Sequence, residues 1–419
     1  MPLHDTHPKG PATILFTHFG DDWIRGSERC LLDLLTHIDR DQFNPVVWCN
    51  SGIMADTVRG LGITAYRSDF SLLLGWRSPR FDIRTFAAQV KQGMRLVDEH
   101  GVKLLHNNSG APNQWMSLVA RSRGLPSLVH LHARYPLRDR ITLGLHQTPM
   151  CVGVSQPVIE TLLEDGIPRQ HTRVIANGID TQRLDRQPDI NLRRQLNLNS
   201  DDFLIATTGS LIRRKGIDLI IDALSRLLAQ GLPAHLAVIG EGPEREPLQQ
   251  QIRQLGIGSH VHLLGEQTSI AGLLRGSADL FVSGAREEVF GLVLAEAGLA
   301  GLPVIAPAVG GIPDVVADGQ TGLLVPPEDA KALAGAIRKL YHAPRLRTRM
   351  GLAGRRRVNR HFTIERNVDR FERLYHRMLN DPAMHAGWLS HWPYRQALPK
   401  VTRRLFDLSL NRMTRRATS

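Results

Sequence analysis

Glu288 and Glu296 stand eight positions apart in the run Glu288-Val-Phe-Gly-Leu-Val-Leu-Ala-Glu296. The first precedes an apolar helical stretch opened by Phe290-Gly291-Leu292; the second lies inside that stretch. If every step were helical, the two carboxylates would be roughly 12 Å apart. Acid pairs that hydrolyse glycosides stand closer, about 5–9.5 Å apart. The wider spacing suits a ligand gripped at both ends, with a charged middle over the free amides of a helix start. A nucleotide sugar has that shape: ribose, diphosphate, hexose. A buried helix carrying two incidental acids accounts for this one segment equally well.

A second polar group precedes it. Gly209-Ser210-Leu-Ile-Arg213-Arg214-Lys215-Gly216 follows an apolar strand and leads into a helix. Three cations there oppose the helix dipole, so their placement points to an anionic partner. Gly240-Glu-Gly242 is another strand-to-helix turn, without the full dinucleotide fingerprint because position 245 is arginine. In the first half, Gly20–Gly26 links a strand to a helix that starts Gly26-Ser27-Glu28-Arg29, and Gly26 lets backbone approach a diphosphate. His132 follows the apolar strand Ser127–Leu131, with His130 two residues back on the same side. His106-Asn107-Asn108-Ser109 ends an earlier strand. Polar residues gathered at several strand ends mark a candidate site, although a lone histidine is more often structural.

Short apolar runs and amphipathic runs alternate around these motifs. Thr13–Thr17, Pro45–Trp48, Val102–Leu105 and Ser127–Leu131 read as strands, and Glu28–Ile38 and Phe81–Glu99 as helices. The pattern restarts with strands at Phe203–Thr207, Ala234–Ile239, Val261–Leu264, Asp279–Val282 and Pro303–Ala306, and a helix at Ile217–Leu228. This order predicts an α/β protein of two doubly wound, Rossmann-like domains facing a cleft, followed by C-terminal helices. The expected boundaries are 1–179 for an acceptor-side domain, 180–202 for a polar linker and 203–362 for a donor domain. A helix over 363–380 is expected to return to the first domain, and a basic aromatic tail spans 381–419.

Composition narrows the partners. The 419 residues carry a formal net charge of +12 with 5% aromatic residues. Such a charge draws polyanions or anionic membranes. The scarcity of aromatics and the lack of zinc-finger or RNP-like patterns argue against nucleic acid. Three scattered cysteines form no disulfide framework and fit a reducing compartment. No apolar run is long enough to span a bilayer, and the N-terminus lacks a signal-peptide layout. A cytoplasmic protein is expected. The tail carries Trp388, Trp392 and Tyr394, then six basic residues and one acid over Lys400–Arg416. Val401, Leu405 and Leu408 share one helical face there. Such a segment suits peripheral contact with an anionic membrane, or docking on the protein itself.

Taken in order, these segments resemble the retaining glycosyltransferases of family four, which have the GT-B fold. The resemblance covers roughly residues 12–380. It rests on Gly26-Ser-Glu-Arg29, His132, Val174-Ile-Ala-Asn-Gly-Ile-Asp180, Lys215-Gly216, Glu288 with Glu296, Gly310-Gly311 and Thr321-Gly-Leu-Leu324. It implies that Lys215 contacts a donor diphosphate. Ser210 stands where the family often has arginine, and Arg213 or Arg214 would supply that charge. Backbone amides around Phe290, Gly291 and Leu292 would hold phosphates, Glu296 the ribose and Glu288 the sugar hydroxyls. His132, Glu288 and Lys215 would form the catalytic set, with Glu28, Asn108 and Ser109 on the acceptor side. Ser27 replaces a second glycine beside Gly26 and would narrow the donor pocket.

The implied reaction moves a hexose from a UDP- or GDP-sugar to a glycan or lipid-linked acceptor, with retention and without a metal or other cofactor. Lys215, an arginine and a helix start would stabilise the leaving diphosphate. Cell-surface polysaccharide or glycolipid synthesis is the expected setting. A nucleotide-sugar epimerase on the same fold, or a non-catalytic nucleotide-sugar-binding scaffold, remain alternatives.

Overall fold

The computed structural model describes residues 10–74, 81–199, 201–385 and 399–404. These form two compact units: the described residues up to Ala176 together with those from Asn367 onward, and Asn177–Arg366.

The first unit is built on seven parallel strands: β1 (Ala12–His18), β2 (Phe43–Cys49), β3 (Thr64–Arg67), β4 (Leu104–Asn108), β5 (Ser127–Leu131), β6 (Met150–Gly153) and β7 (Thr172–Val174), in spatial order 3-2-1-4-5-6-7. Ile14, Leu15 and Phe16 are completely buried, as expected for a strand covered on both faces. Winding reverses between β1 and β4, where the terminal residues His18 and Asn108 are in register. Such a switch point opens a crevice at the carboxyl ends of the strands. Helix α1 (Gly26–His37) follows β1, and α2 (Gly110–Arg123) follows β4.

The second unit repeats the plan with β8 (Phe203–Thr208), β9 (Ala234–Ile239), β10 (Val261–Leu263), β11 (Leu280–Val282), β12 (Val304–Pro307) and β13 (Gly322–Val325), in spatial order 10-9-8-11-12-13. Its switch point lies between β8 and β11. Helix α3 (Ile217–Leu228) buries Ile220, Ile221, Leu224 and Leu227 against this sheet. Helices α4 (Leu292–Leu299) and α5 (Pro344–His361) complete the parts used below. Helix α6 (Ile364–Asn380) belongs to the first unit from Asn367 on, where Phe371 and Tyr375 are fully buried and Asn367 Nδ2 donates to the Ala176 carbonyl at 2.7 Å.

The stretch Asp180–Asp202 is not a free linker. Leu184 and Leu192 are buried, and Leu192 packs with Leu204, Ala237, Ile239 and Leu273. The Arg193 guanidinium also pairs with the Asp279 carboxylate. Its polar composition hid these few widely spaced leucines, which are enough to fasten it to the second unit. Strands β3, β6, β7 and β13 also escaped the pattern reading; β3 and β7 carry Arg67 and Arg173 and so present no apolar run.

No helix among the described residues is long and apolar enough to cross a membrane. Trp388, Trp392, Tyr394, Leu405 and Leu408 lie outside the described residues. Residues 399–404 are helical, with Val401 buried and Arg404 Nη1 and Nη2 each 2.7 Å from Asp165 and Glu164.

Candidate functional site

In the first unit, the polar strand ends converge on one hydrogen-bonded set. His132 Nε2 donates to Asn108 Oδ1 at 2.9 Å. His18 Nδ1 lies 3.0 Å from Asn108 Nδ2 and 3.2 Å from the Asn108 carbonyl oxygen. His18 Nε2 donates to Glu28 Oε1 at 3.1 Å, and Ser27 Oγ reaches the same oxygen at 3.1 Å. Thus Glu28 and Asn108 are buried supports that orient His18 and His132. His18 was not singled out from sequence, although it ends its strand as Asn108 ends β4.

Burial raises the Glu28 carboxyl, but the His18 hydrogen bond and charge outweigh it and hold the group at about 2. Burial, reinforced by the charge of His18, pushes His132 down to about 3. A neutral imidazole donating through Nε2 keeps an Nδ1 lone pair for a ligand hydroxyl. Ser109 turns the chain into α2 with φ 104°, a region essentially reserved for glycine, and its buried Oγ has no hydrogen-bond partner among the described residues. The turn is held from both sides: Ser109 N–H donates to the His130 carbonyl at 2.9 Å, and Gly110 N–H to the Tyr135 hydroxyl at 2.8 Å. Gly26 begins α1, and a Cβ added there would meet nothing within 4 Å.

In the second unit, Lys215 Nζ lies 2.6 Å from Glu288 Oε2. Both side chains are largely covered, at 19% and 12% exposure, in a small pocket with Thr208, Ser283 and Leu294. Gly216 brings the lysine there. Its φ is +61°, and a Cβ would sit 1.8 Å from the Gly284 carbonyl oxygen, so only glycine allows the two loops to touch. Arg286, missed from sequence, pins the same loop. Its Nη1 donates to the Arg213 carbonyl at 2.8 Å, its N–H donates to the Arg214 carbonyl at 2.9 Å, and its guanidinium pairs with Asp218 and Glu328. Arg213 and Arg214 are exposed, and Arg214 Nη1 donates to the Glu287 carbonyl at 3.1 Å. Ser210 lies in the turn after β8, where Leu211 N–H donates to the Glu241 carbonyl at 2.9 Å.

Glu288 precedes α4, and the Gly311 N–H donates to its carbonyl at 3.0 Å. Gly310 approaches that carbonyl so closely that a Cβ would lie 1.8 Å from the oxygen, which explains the Gly310-Gly311 pair. Gly291 caps α4 with φ 92°. The Phe290 ring is buried against Phe362, at 5.7 Å between centroids, so that residue offers backbone only. Glu296, half-buried, lies one turn inside α4. Leu292 and Val293 carry the first amides of the helix, which have no intrahelical acceptor.

The chain has one Asp-x-Asp triplet, Asp39-Arg40-Asp41. It forms the turn before β2, where Asp39 Oδ1 accepts the Asp41 N–H at 2.9 Å. It is thus at the amino end of a strand, opposite the carboxyl ends that carry the clusters.

Residues 24–183 match the family model described as Glycosyltransferase Family 4, and residues 189–357 the model described as Glycosyl transferases group 1. The GDP-mannose-dependent alpha-(1-6)-phosphatidylinositol monomannoside mannosyltransferase of Mycolicibacterium smegmatis is 30% identical over 65% of this chain and 75% of its own length. The N-acetyl-alpha-D-glucosaminyl L-malate synthase of Bacillus anthracis is 29% identical over 58% of this chain; the match spans 64% of that relative, a little under two thirds. Among solved structures, Anabaena HepE in complex with UDP and glucose superposes with a TM-score of 0.74, at 22% identity, over 87% of this chain and 100% of the other.

Proposed function

Since the chain belongs to the group 1, family 4 glycosyltransferases of GT-B fold, we propose that it transfers a hexose from a UDP- or GDP-sugar to a glycan or lipid-linked acceptor. Retention of anomeric configuration and independence of metal are part of this reading. The observation that carries it is the Lys215–Glu288 pair beside the amino end of α4. There a cation, free helix amides and a carboxylate occupy the carboxyl ends of the strands, where doubly wound sheets bind ligands. The Mycolicibacterium relative, named for a GDP-mannose donor and a phosphatidylinositol mannoside acceptor, supports the choice of donor class and a lipid acceptor.

Breaking the anomeric C–O bond leaves negative charge on the nucleoside diphosphate. Lys215 and the amides of Leu292 and Val293 stabilise it, aided by Arg213 or Arg214. The acceptor oxygen forms the new bond on the face the diphosphate leaves, and its proton passes to the departing phosphate oxygen. Glu288 holds sugar hydroxyls, Glu296 the ribose diol, and neutral His132 orients a hydroxyl through Nδ1. The enzyme works in cell-surface polysaccharide or glycolipid synthesis, peripheral to the cytoplasmic membrane face.

Calorimetric titration of UDP, GDP and their common hexose conjugates, with EDTA present, tests the reading. Binding of one nucleotide family without metal is expected. No binding to any would overturn the donor site and favour a scaffold role. Isomerised nucleotide sugar formed without an acceptor would instead identify an epimerase.

A further inference from the structure

Helix α5, Pro344–His361, contains seven arginines and no acid. Three of them serve the second unit internally. Arg347 Nη1 donates to the Leu340 and Tyr341 carbonyls at 2.8 Å each, and its guanidinium lies over the Phe203 ring. Arg355 pairs with Asp185 at 2.9 Å. Arg357 donates to the Val315 and Asp314 carbonyls at 2.9 and 2.6 Å.

The other four, Arg345, Arg349, Arg356 and Arg360, are exposed, and among the described residues none forms an ion pair or side-chain hydrogen bond. At 3.6 residues per turn these four and Leu352 fall within an arc of about 80°, and they extend about 22 Å along the axis. The three internally engaged arginines fall outside that arc. Thr348 and Asn359 flank it, so no carboxylate interrupts the face. Leu352, 50% exposed, sits at the middle of the stripe.

Of these four charges only Arg360, in the last turn, complements the helix dipole. Arg345 and Arg349 oppose the dipole at its amino end, and the pairs 345/349 and 356/360 are like charges one turn apart. We propose that this face of α5 docks on an anionic lipid surface. Guanidinium groups grip phosphates bidentately, and a straight stripe meets a plane along its whole length. An apolar side chain at its centre suits the boundary between headgroups and acyl chains. Nucleic acid fits less well, because the face presents no aromatic ring on which a base could stack. The attachment is thus on the second unit itself.

The test uses the full chain and vesicles of phosphatidylcholine with or without phosphatidylglycerol. Replacing Arg345, Arg349, Arg356 and Arg360 together by glutamine is expected to lower partitioning onto the anionic vesicles by on the order of a thousandfold. The melting temperature and UDP or GDP binding should stay as in the native chain. If the fourfold variant does not fold, the single reversal Arg356→Glu gives the same readout through a loss of roughly thirtyfold. Unchanged partitioning of the variant overturns the proposal. So does equal binding of the native chain to vesicles lacking phosphatidylglycerol. A variant that loses binding to single-stranded DNA while keeping its vesicle binding would assign the face to nucleic acid instead.

Discussion

Lys215 Nζ and Glu288 Oε2 lie 2.6 Å apart although 73 positions separate them in the chain. Each neutralises the other until a ligand arrives, so a diphosphate must compete with Glu288 for the lysine. Lys215→Ala is expected to weaken nucleoside diphosphate binding by 1.5–3 kcal/mol, about 10–100-fold, the value of hydrogen bonds to charged groups. Glu288→Ala should leave that binding unchanged or tighter while turnover of the nucleotide sugar falls. Calorimetry with UDP or GDP and a transfer assay separate the two effects. Equal loss of nucleotide binding in both variants would refute the division of roles.

Glu296→Ala is expected to weaken binding of every nucleotide tried, by about tenfold, whether or not a sugar is attached. The reason is that a carboxylate one turn inside α4 is assigned to the ribose rather than to the hexose. An effect confined to the sugar conjugates would move Glu296 to the other end of the ligand.

Gly216 and Gly26 should respond oppositely to alanine. At Gly216 the new Cβ has no space beside the Gly284 carbonyl and the backbone is left-handed, so a loss of about 3 kcal/mol or more is expected in denaturant unfolding. At Gly26 nothing lies within 4 Å, so the same change should leave the unfolding midpoint in place. A fall in transfer activity of Gly26→Ala at unchanged stability would mark close approach of a ligand. Full activity would show that the position tolerates a side chain.

Ser109 at φ 104° costs about 1–3 kcal/mol of backbone strain, and its Oγ is buried without a partner among the described residues. Ser109→Gly should therefore stabilise the first unit by about 1 kcal/mol or more. The neighbouring Asn108–His132 hydrogen bond would lose its rigid turn, so turnover should drop as the melting temperature rises. A variant less stable than the native chain would show that the serine hydroxyl has a structural partner after all.

Acid should destabilise the first unit early. Burial pushes His106 and His132 down to about 3 and His130 well below its ordinary value, with mutual charge repulsion in the same direction. Unfolded histidine titrates near 6.5. Between roughly 6.5 and 3 the unfolded chain binds protons that the native state refuses, so stability falls as pH falls. Each histidine contributes up to about 1.4 kcal/mol per pH unit. Glu28, held at about 2 against an ordinary 4.5, adds its own loss only below pH 4.5. Denaturant midpoints at pH 7, 6 and 5 should decline, and His130→Leu should flatten the decline. Identical midpoints at pH 7 and 5 would contradict the burial argument.

Both sheets could be read in the chain because buried parallel strands are apolar runs and their helices are amphipathic. Ser127–Leu131, Ala234–Ile239 and Ile217–Leu228 have the same limits in sequence and structure. The candidate residues were also visible, since polar groups at the ends of apolar strands stand out: His132 after β5, Asn108 ending β4, Lys215 in the turn after β8. Leu184 and Leu192 were not, because a few leucines in a polar stretch carry no periodicity.

What the sequence by itself determined is therefore the alternation of strands and helices and the identity of the polar residues where strands end. Those are local properties of side-chain type and spacing. Only the tertiary structure decided which of those residues meet. It brought both His18 and His132 to the Asn108 side chain, because β4 lies between β1 and β5 in the sheet. It turned Glu28 and Asn108 into buried supports, and it set Arg286 under the Lys215 loop. It also divided the arginines of α5 between internal partners and one exposed face. These pairings join residues tens of positions apart, and their geometry depends on how sheets and loops pack, which no short window of sequence contains.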